Sequence, residues 1–365
     1  MSAPGVRRRP AVRTAWVFRA MSDWPAWSGR AAAVWSFAYG GLGLHWSLGG
    51  DGFPFAPVDP DRASGSVLEG APVGVVAPVM AVLGLLGGVV GLVTARRAGS
   101  GWPRTAVLVF GWTVAAGLTL VVPDYSLLAL LAFAPVLAVF AFTGIPGDQD
   151  GLGDILYWHR TNLVVLFVGG LLWAAATLAH QRRTRGACAH CGRRDGTHGR
   201  GPSPAALLRW GRWAVVVALL APLPYEVTRI AWYLGFPLGI SDDFLRMMQG
   251  TPGMLEVGLG CAIASALGGV LTHGLVRRWG EVYPRWVRFR AGRPVPPALA
   301  VVPAAIVAVV LVPAGLMNVR AGFSADSWGL NLPSALWVVW GVALGAATLA
   351  YHLRRRGACR RCGRT

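Results

Sequence analysis

The chain has 365 residues and a formal net charge of +18, with 54% hydrophobic and 14% charged residues. A soluble domain covers its surface with about 25% charge, so this composition and a mean hydropathy of +0.50 exclude an ordinary soluble domain and point to a membrane protein. All 34 basic residues are arginine, and they fall in short runs beside apolar segments. That placement follows the positive-inside rule and makes the lipid bilayer, rather than nucleic acid, the expected partner.

Residues 1–30 form a basic arm, with Arg7, Arg8, Arg9, Arg13, Arg19 and Arg30 against a single acid, Asp23. Trp16, Trp24 and Trp27 are interleaved with them, as expected of a segment at the cytoplasmic interface. The apolar stretch 31–50 lacks a clear small-residue cleavage site and is taken as the first span rather than a signal peptide. An acidic loop follows (Asp51, Asp59, Asp61 and Glu69 against Arg62), then a second span, 73–95, closed by Arg96 and Arg97. Residues 105–144 are mostly apolar but broken at Val121-Val122-Pro123-Asp124. A second acidic loop (Asp148, Asp150, Asp154) precedes a span at 162–180, and the basic segment 181–212 separates it from spans at 213–235, 254–276, 299–317 and 334–352. Each is close to the about 20 residues a bilayer core requires.

Two stretches repeat. Residues 175–193 read AATLAHQRRTRGACAHCGR, and residues 346–364 read AATLAYHLRRRGACRRCGR, an offset of 171. Further matches are Tyr39, Trp46, Leu48 and Gly49 with Tyr225, Trp232, Leu234 and Gly235, and Leu86–Val89 with Leu267–Val270. Val121-Val122-Pro123 also matches Val301-Val302-Pro303. These matches predict a tandem duplication: a first membrane repeat at 31–193, a linker at 194–212 and a second repeat at 213–365. Five basic regions hold 29 of the 34 arginines, and placing all five inside requires an even number of crossings between any two. The alignment of the Val-Val-Pro trios makes 126–144 the full span and 105–122 a shallow or re-entrant piece. The expected fold is therefore all-α and polytopic, with about eight transmembrane helices in two parallel repeats and both termini cytoplasmic.

Both repeats then end in a cytoplasmic Cys-x-x-Cys knuckle. Two intervening residues let both thiolates reach one ion, and the following glycine permits the turn. One knuckle supplies two ligands, so Cys188, Cys191, Cys359 and Cys362 together predict a structural four-cysteine zinc clasp joining the halves. The alternatives are an unmetallated, reduced pair in a solvated basic segment, and redox chemistry, since thiols beside arginines are acidified. His190 and His198 are possible substitute ligands, and Cys261, mid-span, is expected to be a small buried hydrophobe.

Glu226 and Arg229, three apart inside a span, are expected to neutralise one another on one helix face or, as ionisable residues at membrane depth, to form a substrate or ion site that Glu256 could join. His45 and His273 are expected to be hydrogen-bonded within the bundle. Gly84-x-x-x-Gly88, Gly87-x-x-x-Gly91, Ser265-x-x-x-Gly269 and Gly341-x-x-x-Gly345 predict close helix packing. The arginine runs also offer a surface to anionic lipid headgroups.

The absence of lysine and the Ala, Gly, Val and Pro bias suit a GC-rich bacterial genome. The duplicated RGACxxCGR ends and the repeated Tyr-x6-Trp-x-Leu-Gly segment resemble uncharacterised multi-spanning membrane proteins of actinobacteria, a resemblance that covers most of the chain and carries no assigned activity; the expected location is the bacterial plasma membrane. The functional expectation is a non-enzymatic membrane protein that transports or binds a small or lipidic molecule. A membrane thiol–disulfide oxidoreductase and a zinc-dependent regulatory scaffold are the alternatives.

Overall fold

The computed structural model describes residues 23–57, 65–96, 102–143, 156–194 and 203–364, with backbone alone at 102 and 135–143. Its order is α1 (Trp24–Ser47), α2 (Val73–Ala95), α3 (Trp102–Ala116, continued by a π turn at Gly117–Val121), α4 (Ser126–Thr143), α5 (Trp158–Thr184), α6 (Pro204–Leu220), α7 (Leu223–Tyr233), α8 (Asp242–Gly250), α9 (Met254–His273), α10 (Pro297–Ala321), α11 (Trp328–Ala335) and α12 (Trp337–Arg355). No strand occurs among the described residues, and seven helical segments there are long and apolar enough to cross a membrane. Helices close their own backbone hydrogen bonds, which is what lets such apolar runs lie in lipid.

Local chemistry sets the boundaries. Pro25, Pro204 and Pro297 occupy first-turn positions, where a missing N–H costs nothing. The Ser203 hydroxyl accepts from the Ala206 amide (3.1 Å). Pro222 separates α6 from α7 within one apolar stretch. The repeated Leu-Gly pairs end α1 and α7 alike: Gly49 and Gly235 take φ of 88° and 87°, a left-handed conformation open to glycine.

Hydrogen bonds identify the two ends of the bundle. At one end, the cysteine end, Arg183 donates to the carbonyls of Pro25 (3.2 Å) and Thr94 (2.6 Å), and Arg104 Nε donates to Thr184 Oγ1 (2.8 Å). In the second half Arg354 pairs with Glu281 (2.6 Å), and the Tyr351 hydroxyl donates to the Gly280 carbonyl (2.7 Å). At the opposite end Trp158 Nε1 donates to the Gly52 carbonyl (2.7 Å) and Ser66 Oγ to that of Val122 (2.9 Å), while Arg320 reaches Val121 (3.5 Å). Helices α1, α2, α3 with its π turn, and α5 therefore run end to end in the first half, and α6–α7, α9, α10 and α11–α12 do so in the second.

This corrects the expectation about 105–144. Arg104 is anchored at the cysteine end and Val122 at the opposite one, so 103–121 makes the full passage. Helix α4 leaves from the opposite end, and the chain is back at that end by Trp158, so 126–158 taken as a whole makes no net crossing. The Val-Val-Pro match misled because its copies are not equivalent. Val121 lies at the far end of its helix, whereas Val301 lies in the first turns of α10, near the cysteine end. Among the described residues, seven of these passages are long and apolar enough to cross a membrane, one fewer than the about eight expected, and α1 is packed along α2 without meeting that measure.

Helices α1 and α2 touch backbone to backbone along their length. Side chains added at Gly40, Gly43 and Gly91 would meet Gly84 C (2.9 Å), Ala81 N (2.6 Å) and Ala33 N (2.8 Å). Gly341 and Gly315 similarly face Ala308 O (2.7 Å) and Val338 N (2.5 Å) in the second half. Lipid gives helices no hydrophobic reason to associate, so close van der Waals contact between small residues does that work. Each half has its own core: Tyr39, Trp46, Phe55, Leu163 and Leu166 in the first, and Val215, Leu311, Leu344, Ala347 and Tyr351 in the second.

Candidate metal centre

Both cysteine motifs begin where an apolar helix runs out into arginine. Helix α5 ends with Gly186 at φ 66°, whose amide donates to the Arg183 carbonyl (3.0 Å). The chain then folds into a tight hairpin in which the Cys188 amide donates to Arg193 O (2.9 Å) and the Gly192 amide to Cys188 O (2.7 Å). After α12 the same hairpin recurs, with Cys359 N to Arg364 O at 2.9 Å and Gly363 N to Cys359 O at 2.8 Å. Gly192 and Gly363 have φ of 75° and 70°, which explains a glycine directly after each second cysteine.

The hairpins pack as a local two-fold pair. Arg193 Nη1 donates to Arg364 O and Arg364 Nη1 to Arg193 O, both at 2.8 Å. The four Sγ atoms of Cys188, Cys191, Cys359 and Cys362 consequently lie within 4.8 Å of one another, with Cys191 and Cys362 at 3.6 Å. Four sulfurs around one ion at about 2.3 Å lie about 3.8 Å apart, so a contraction of about 1 Å completes a tetrahedral set. All four thiols are free and partly buried, and together they can hold a metal ion.

Groups around the sulfurs orient and neutralise them. Arg182 Nη1 donates to the carbonyls of Ala189 (3.1 Å) and His190 (2.7 Å), and Arg193 also reaches Gly357 O (3.0 Å). Asp23 flanks α1 at the N-cap position yet makes no cap bond. Its carboxylate instead lies 3.4 Å from His190 Nε2 and 3.0 Å from Arg361, bridging both knuckles. His190 therefore faces Asp23 and belongs outside the ligand set, and His198 lies outside the described residues.

The thiols do not ionise alike. Amide N–H groups of Arg361 and Cys362 hold the Cys359 thiol down at about 6. Burial opposes the Cys188 thiolate, but the amides of Cys191 and His190 outweigh it and leave that thiol below its ordinary value. The Arg364 amide favours the Cys362 thiolate, yet burial and the three neighbouring sulfurs push this thiol up to about 11. Four anionic sulfurs in so small a volume repel one another, and a bound cation is what allows all four to ionise.

The second candidate group is corrected. Among the described residues Glu226 and Arg229 form no ion pair. Glu226 Oε1 accepts from the Ser265 hydroxyl on α9 (2.7 Å). Arg229 lies over the rings of Trp232 (4.0 Å) and Tyr225 (4.5 Å) and donates to Gly329 O (3.3 Å). A guanidinium flanked by aromatic rings three and four residues away is held by their faces, so spacing alone did not decide its partner. Glu256 is exposed and does not join them. His273 Nε2 accepts from Arg277 (2.9 Å), as expected for a bonded ring, whereas His45 is exposed. Cys261 is partly buried beside the Tyr225 hydroxyl. With separate partners, Glu226→Gln and Arg229→Leu should each lower the thermal midpoint, and the double variant should show the sum within about 0.5 kcal/mol. Recovery in the double variant, read by thermal unfolding in detergent, would restore the pair.

Sequence reasoning missed Asp23 and the reciprocal Arg193 and Arg364. Asp23 carried a signal as the lone acid in a basic arm, whereas nothing local marks which carbonyl an arginine will reach.

The fold and the site together define an all-helical, membrane-type protein with a four-cysteine cluster capable of binding metal, assembled from both halves of the chain. The chain matches no protein-family model, no curated protein and no solved structure.

Proposed function

We propose that this is a non-enzymatic multi-pass protein of the bacterial plasma membrane, its cysteine end cytoplasmic, whose halves are locked by one structural zinc and which binds or transports a small or lipidic molecule. The observation that carries the clasp is the meeting of four sulfurs from segments 171 residues apart. Four protein thiolates fill a tetrahedral shell and leave no position for water or substrate, which favours a structural over a catalytic role. The concentration of 29 of the 34 arginines in five regions supports the orientation.

Support for a lipidic ligand comes from a cavity of about 800 Å³ between α2 and α3, lined by Trp35, Tyr39, Met80, Phe110, Leu166 and Trp173. Its walls are almost wholly apolar, within the size range of ligand sites.

The test is metal content with a topology probe. Purified protein should carry one zinc per chain, and Cys188→Ser and Cys359→Ser should abolish it alike, because each removes a ligand from the same ion. Impermeant maleimide should leave Cys188 and Cys359 unlabelled in intact cells. The low-lying Cys359 thiol favours the oxidoreductase alternative. Metal-free purified protein that reduces a disulfide substrate through Cys359 would establish that alternative and end the clasp reading.

A further inference from the structure

The segment between α9 and α10 is neither a plain loop nor a plain basic run. It folds back on itself: the Tyr283 amide donates to Arg293 O (3.0 Å), Gly292 N to Tyr283 O (3.0 Å) and Val295 N to Glu281 O (2.9 Å). Arg355 from α12 donates to Val295 O (2.9 Å), which fixes the folded loop to the bundle at the cysteine end. The loop is thus a shaped surface held in place before any ligand arrives.

Beneath it lies a groove of about 370 Å³ between α9 and α10. Leu271, Ala300, Ala304 and Trp340 form its apolar wall, and Tyr283 and Trp286 from the loop form its rim. Two large side chains of the loop remain outside the core, with Trp286 80% and Phe289 96% exposed. Between them and around them run Arg277, Arg278, Arg285, Arg288, Arg290 and Arg293, against the single acid Glu281. Glu281 is already committed to Arg354 (2.6 Å), and Arg290 leans over the Tyr283 ring and donates to its hydroxyl (3.3 Å). Arg278, Arg285, Arg288 and Arg293 are exposed, and none has a side-chain acceptor among the described residues.

We infer that this groove holds one anionic phospholipid, an acyl chain between α9 and α10 and its phosphate against the loop guanidinium groups. Charge complementarity selects the occupant, because four exposed guanidiniums on the loop that rims an apolar slot match a ligand that is anionic at one end and hydrocarbon at the other. Guanidinium presents paired donors to phosphate oxygens. Tryptophan and tyrosine sit where headgroups meet hydrocarbon, which is where the groove rim lies if the helices cross a bilayer. A soluble anion would meet the arginines and leave the apolar slot unfilled. The inference rests on the bilayer reading of the helices and is independent of the metal, so the loss of either leaves the other standing.

Native mass spectrometry of the full-length protein in detergent, titrated with phosphatidylglycerol or phosphatidylcholine, tests it. One phosphatidylglycerol should bind at least ten-fold more tightly than phosphatidylcholine. The triple variant R285Q/R288Q/R293Q should lose that preference, while Ala304→Trp, which fills the slot, should remove both lipids. Glycerol phosphate at the same concentration should not compete. Equal binding of the two lipids, an unchanged preference in the arginine variant, or full displacement by glycerol phosphate would each overturn the inference. The arginine variant alters exposed positions only, so it carries the test even if Ala304→Trp fails to fold.

Discussion

Replacing Gly84 with leucine should deprive the protein of its fold. A Cβ at that position would fall on the Cα of Gly40, 2.6 Å from its nitrogen and 2.9 Å from the Ser36 carbonyl oxygen. All three are backbone atoms, so no side chain can turn aside, and α1 and α2 must separate. Separation opens the rest of the seam, where Gly43 faces Ala81 and Gly91 faces Ala33. Overpacking that side chains can absorb costs about 1–3 kcal/mol, and a backbone clash at mid-seam should exceed that range. Gly41 makes the control, because a Cβ there meets nothing within 4 Å, and leucine is the better helix former by about 0.8 kcal/mol. Fluorescence-detected size exclusion should show Gly84→Leu aggregated or absent and Gly41→Leu at parental yield. A Gly84→Leu protein melting within a few degrees of the parent would refute the close packing.

Chelation should produce the second large effect, confined to one end. Structural zinc sites contribute about 10–16 kcal/mol of apparent binding free energy, and in the proposed clasp that energy would join two hairpins rather than form helices. Treatment with a strong chelator should leave helix content by circular dichroism unchanged, because each passage closes its own backbone bonds in lipid. Trypsin cleavage at Arg360 and Arg361 should accelerate at least ten-fold. Asp23→Asn should give a smaller acceleration, since it removes only the contact from Asp23 to His190 and Arg361 (3.4 and 3.0 Å). Collapse of helix content on chelation, or no change in cleavage, would contradict this division of labour.

Much of this was legible in the residues because the informative features are short-range or symmetric. Apolar runs bounded by arginine gave the passages, and the small-residue spacings at Gly84, Gly87 and Gly91 gave the α2 face that meets α1. The matched RGACxxCGR ends gave the meeting of the four cysteines, since equivalent helix ends on one side of a membrane are natural neighbours. What failed depended on choices among competing partners. Arg229 had a carboxylate three residues away and two aromatic rings at similar range, and the rings and the Gly329 carbonyl won. The Val-Val-Pro trio matched as letters but not as depth, because identity across an offset carries no information about which end of a helix a residue occupies. Asp23 is satisfied by residues more than 160 positions away, beyond the reach of any local pattern.

The intimate pairing of α1 with α2 also bears on how the protein reaches its membrane. α1 carries Arg30, His45 and a string of glycines and serines, and it is not among the seven segments apolar enough to cross by composition. Its neighbour Val73–Ala95 is strongly apolar, and the two are sealed along their length. During biogenesis the pair would partition as a helical hairpin, the second member carrying the first across in a single insertion event. Weakening the seam would then act before folding, as chains whose amino-terminal helix is left at the translocation machinery, and the order of synthesis itself would decide which mutations are tolerated.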